Sequence, residues 1–143
     1  MSAYSDIKDK IKDKIDAIAK IAETQDDPQV QFRRFPAAVI VPSSLDSDYQ
    51  TNAENQRVYA FEVNIFYEVD NTGVGSALDA LYDLADDVFN AFDTDQQLKG
   101  LSLPSNYTMI AVEPVPAGWE SEDNYKMLKL NIKILVRVTY DIT

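Results

Sequence analysis

Cysteine and histidine are both absent from the 143-residue chain. Their absence excludes disulfides, Cys/His zinc sites, thiol nucleophiles and every histidine-dependent triad. It also removes the usual general base at neutral pH. Glycine is scarce: Gly73, Gly75, Gly100 and Gly118 are too few for a glycine-rich phosphate loop. No apolar run approaches the roughly 20 residues of a membrane helix. Bases are nearly missing from the middle of the chain. Residues 35–124 hold 16 acids against two bases, Arg57 and Lys99, and the whole chain carries a formal charge of −11. Such a stretch repels a phosphate backbone, so ordinary DNA binding is disfavoured. These absences argue against an enzyme, and neither cofactor, metal nor membrane contact is expected. The first residues alternate Lys and Asp instead of forming the apolar core of a secretion signal, so a soluble protein made in the cytoplasm is expected.

What is present reads as one domain over residues 1–143, with 45% apolar residues to build a core. Ile7, Ile11, Ile15, Ile18 and Ala22 recur at helical spacing and predict a helix over 5–22, with Ser5 as its N-cap and the intervening Lys and Asp solvated. Ala37–Pro42 reads as a short strand and 43–56 as a long polar loop. From 57 to 69 the pattern alternates: Tyr59, Phe61, Val63, Ile65, Tyr67 and Val69 share one face of a strand. After a turn at Gly73-Val74-Gly75, a second helix is expected from Ser76 to Phe92, with Ser76 and Asp79 resembling a capping box. Its apolar face comprises Leu78, Leu81, Tyr82, Ala85, Val88, Phe89 and Phe92. A strand over 107–115, a polar connection holding Pro116, Gly118 and Trp119, and a last strand from Tyr125 to Ile142 complete the order α-β-β-α-β-β. The expectation is an α+β fold, a four-stranded, mainly antiparallel sheet with two helices packed on one face.

Several residues stand out as surface candidates. Asp79, Asp83, Asp86 and Asp87 line the polar side of the second helix, either as a solvated face or as an acidic surface facing something it must repel. Asp93-Thr94-Asp95 has the spaced acids that open a calcium loop, but Leu98 and Pro104 stand where that loop needs Gly and Glu. Lys129, Lys133 and Arg137 recur every fourth residue on the outer side of the last strand. They either pair across the sheet or form a basic surface that meets the acidic middle of a neighbouring subunit. Trp119, the single tryptophan, and Tyr49, isolated among polar residues, are candidate contacts, as is Arg57.

The layout resembles a known family. It has a first helix, the strand Phe35–Val41, a polar loop, the alternating strand Arg57–Ile65, the acidic helix Ala77–Val88 and a closing strand pair ending Leu130–Val138. In this order it resembles the tail terminator and tail-completion proteins of the head–tail neck of tailed bacteriophages. The resemblance implies a structural virion protein, located in the tail or neck. Such a protein forms a ring of its own copies, commonly a hexamer, on the head-proximal end of the tail. There it ends polymerisation of the tail tube protein and meets a head connector or neck protein, while DNA passes through without specific binding. Tyr49, Arg57, Trp119, Lys129, Lys133 and Arg137 would then be subunit or partner contacts, and Asp79, Asp83, Asp86 and Asp87 a channel wall. The alternatives are a neck or head-closure protein and an acidic DNA-mimic inhibitor.

Overall fold

The computed structural model describes residues 3–25, 35–49, 54–69, 73–95, 98, 101, 103–122 and 126–141, with the backbone alone at 44–49, 54, 117 and 122. Its elements are α1 (Ala3–Asp16), β1 (Glu23–Gln25), β2 (Ala37–Tyr49), β3 (Glu54–Glu68), α2 (Val74–Asp93), β4 (Tyr107–Glu122) and β5 (Met127–Asp141). The strands form one five-stranded sheet in the order β1-β2-β3-β5-β4. The β2–β3, β3–β5 and β5–β4 pairs are antiparallel, whereas β1 runs parallel to β2.

This corrects the expected four-stranded sheet and the order α-β-β-α-β-β: a fifth strand joins through a parallel pair, giving α-β-β-β-α-β-β. Three residues, Glu-Thr-Gln, are too few and too polar to show a strand period. The first helix is also shorter than expected and starts earlier, so Ser5 lies inside it rather than at its N-cap. The misleading signal is Ile18 and Ala22, which continue the helical spacing beyond the end of α1. The chain there makes tight turns instead, in which Ile18 N–H donates to the Ile15 carbonyl and Ile21 N–H to the Ile18 carbonyl (both 3.1 Å). Ala22 N–H then donates to the Pro36 carbonyl (2.8 Å) and carries the chain into β1.

The two polar stretches read as loops are mostly strand. β2 continues to Tyr49 and β3 begins at Glu54, in unbroken register from Leu45↔Tyr59 to Tyr49↔Asn55. Likewise β4 runs through Pro116, Gly118 and Trp119 to Glu122. It tolerates two prolines because it is an edge strand, and register shifts at Met109/Ala111 and Pro116/Gly118 absorb the irregularity.

The alternating faces of β3 and β5 build the core. Tyr59, Phe61, Val63 and Ile65 are buried on β3, and every even residue from Leu128 to Val138 is buried on β5. Ile7, Ile11 and Ile15 of α1 and Leu81, Leu84, Ala85, Val88 and Phe92 of α2 join the same cluster. Burying each large aliphatic side chain contributes roughly 1.5–3 kcal/mol. The ring of Tyr4, on α1, stacks on Phe61 (centroids 5.5 Å apart) and fixes that helix over the middle of β3.

Candidate functional site

Among the described residues α2 carries more exposed acids than any other element, Asp79, Asp83, Asp86 and Asp93, and its position governs what the protein offers a partner. The helix begins at Gly73, whose φ of 93° favours glycine, with no side-chain cap, so Ser76 lies within the helix and no capping box forms. At the other end Thr94 Oγ1 donates to the Asn90 carbonyl (2.7 Å). The last turn of α2 contains no base. Lys14 of α1 supplies one: its Nζ lies 2.7 Å from Asp95 and donates to the Ala91 carbonyl at 3.4 Å. A cation at this terminus offsets the negative end of the helix dipole. Lys14 therefore bridges the helices instead of facing solvent, and Asp95 is engaged by it.

The four acids of α2 separate into two flanks. On the α1 side, Lys20 lies 3.2 Å from Asp87. Lys20, Pro36, Tyr67, Ala80, Asp83 and Leu84 line a cavity of about 340 Å³ there. On the β4 side, Asp79 and Asp86 are exposed and form no ion pair among the described residues.

That second flank borders a groove of about 140 Å³ between α2 and the register shift of β4. Its apolar walls are Tyr82, Ala85 and Phe89 on the helix, Pro116 on β4, and Leu130 and Ile132 on β5, with Asp86, Gly118 and Asn131 completing the lining. Tyr82 belongs to the expected apolar face, yet it remains 49% exposed. Trp119, opposite Leu130 in register, is 40% exposed. The sequence signal for the groove was a tyrosine at the margin of the apolar stripe and a glycine beside the single tryptophan.

The other surface candidates fall elsewhere. Arg57 lies within the far end of the sheet, where its Nη1 donates to Tyr107 Oη at 2.6 Å. Its guanidinium stands 4.6 Å from the Tyr140 ring centre and 5.5 Å from that of Tyr107. Burial alone would lower the guanidinium's pKa, but the Tyr59 hydrogen bond and coupling to Tyr107 outweigh it and hold it raised. Burial likewise pushes the Tyr59 phenol up, against the pull of Arg57. These groups are spent on one another and clamp β3, β4 and β5 together.

Lys129, Lys133 and Arg137 form a column on the face of β5 turned away from the helices, with acids on the flanking strands. Glu120 stands opposite Lys129 and Glu62 opposite Lys133 in register. Glu113 lies 3.9 Å from Arg137, and Lys129 Nζ is 5.8 Å from the Phe66 ring centre. Tyr49 is the last residue of β2, and its side chain lies outside the described residues. The structure thus brings Asp79, Asp86 and Trp119 to the groove region, keeps the basic column on the opposite face, and turns Arg57 inward.

The fold has a counterpart in a virus-like particle. Its architecture matches that of a chain from the virion of a native gene transfer agent (GTA) particle, with a TM-score of 0.61. The match covers 96% of this chain and 97% of that chain at 12% sequence identity, so it shows a shared fold. No family model matches the sequence, and no curated protein matches it by sequence.

Proposed function

We propose that this chain is a structural virion protein of a phage-type particle, and that it closes into a ring at the head-proximal end of the tail. The observation that carries this reading is the fold shared over 96% of this chain and 97% of the virion chain. In this reading the ring is a hexamer that ends tube growth and joins the tail to a head connector, and it performs no catalysis. The acidic middle of the chain, net −14 over residues 35–124, suits a passage through which phosphate must slide without being held. The exposed acids of α2 are the candidates for its wall. Head-to-tail contacts between identical copies close into rings when the rotation permits.

Light scattering across a concentration series, with negative-stain images of the same fractions, tests the ring. Six chains of 16.1 kDa give a particle of about 97 kDa with an open centre. A strict monomer at every concentration, and also after mixing with purified tail tubes, would overturn the ring.

A further inference from the structure

We propose that the groove between α2 and β4 is a docking site for an extended segment of a partner protein, one that inserts a single large apolar side chain flanked by basic residues. The size of the groove sets the anchor. At about 140 Å³ with mainly apolar walls, it compares with an apolar cavity of ~150 Å³ that takes up a benzene molecule. One phenyl ring or branched aliphatic side chain fills it.

The rim sets the charge of the partner. Asp79, Tyr82, Asp86, Phe89 and Asp93 follow one another at three- and four-residue steps, so they share one stripe of α2. All three acids are exposed, and no cation of the described residues pairs with them. Lys14 of α1 and Lys20 of the turn that follows it go to Asp95 and Asp87, at the helix end and on the opposite flank. A purely apolar segment would leave this charge unanswered, and nucleic acid would be repelled by it. A segment with Lys or Arg on both sides of its anchor satisfies groove and rim together. Tyr82 and Trp119 are of the aromatic type that concentrates binding energy at such contacts. This narrows the channel-wall reading of α2: Asp79 and Asp86 meet a partner protein, and Asp83, off the groove rim, is the exposed acid left for a passage wall.

The single tryptophan makes the test direct. The full chain is titrated with the peptides Arg-Arg-Phe-Arg-Arg, Glu-Glu-Phe-Glu-Glu and Arg-Arg-Gly-Arg-Arg, following Trp119 emission and backbone amide NMR shifts. The first peptide should bind at least about tenfold tighter than either control, because full burial of a phenylalanine alone corresponds to about that factor or more. Tyr82→Ala should weaken it by about tenfold at an unchanged melting temperature. The double variant Asp79→Lys, Asp86→Lys should reverse the preference toward the glutamate peptide. Equal affinity for the Phe and Gly peptides, equal affinity for the Arg and Glu peptides, or shifts confined to another surface would each overturn the proposal. Peptide binding and ring mass are separate readouts, so the failure of one leaves the other standing.

Discussion

The two flanks of α2 present the same residue types and treat them differently. Toward α1, acid is met by cation: Lys14 reaches Asp95 and the Ala91 carbonyl, and Lys20 reaches Asp87. Toward β4, Asp79 and Asp86 stand beside a half-exposed Tyr82 and an apolar groove, with no cation of the described residues paired to them. The difference lies in what is packed alongside. α1 is lysine-rich and lies within side-chain reach of α2, whereas β4 sets Pro116 and Gly118 in the groove beside it. Charge on a helix face becomes structural where a neighbouring element neutralises it and remains available where none does.

That contrast assumes that cations hold this protein's elements together, and the strongest case is outside α2. Replacing Arg57 with Ala removes a charge-assisted hydrogen bond and two cation–π contacts. A loss of about 2–4 kcal/mol in unfolding free energy is expected in urea titrations. The same cluster gives stability an alkaline limit. The Tyr59 phenol is raised on folding, so its contribution is complete below its ordinary value of ~10 and is lost as the pH climbs through its folded value. Unfolding free energy should therefore fall above pH ~10, less steeply in Tyr59→Phe.

The closed flank is tested next. Lys14→Ala should cost about 1–2 kcal/mol, because it strips a part-buried ion pair and the cation at the end of α2. Smaller still, Lys20→Ala and Tyr82→Ala should each change stability by less than about 0.5 kcal/mol, since both positions are well exposed. If Lys20→Ala matched Lys14→Ala, the exposed pair would be holding the helices together. If Tyr82→Ala were costly, the open flank would be core, and the distinction between the flanks would collapse.

Strands with one buried face were plain in the amino-acid order. β3 and β5 alternate because every second side chain enters the core, and Phe61, Ile65, Leu128, Ile134 and Val138 sit where that pattern puts them. The apolar stripe of α2 was equally legible. The distal half of β2, the start of β3 and the end of β4 were not. Ser, Asp, Asn and Gln at strand positions carry no period and read as loop. The backbone pairing that makes them strand is supplied by the neighbouring strand, and no side-chain pattern records it. β1 was invisible for the same reason, compounded by its length of three residues.

The sequence by itself determined the absence of cysteine and histidine chemistry, the acidic middle, and the residues that build the core. Those properties follow from composition and from periods of 2 and 3.6 residues, which are local. Tertiary structure alone decided which charges are spent and which remain. Arg57 entered an aromatic clamp, Lys14 crossed to the end of another helix, and Asp79 and Asp86 were left beside a groove. Pairing of that kind depends on distances between elements far apart in the chain, and only packing sets those distances.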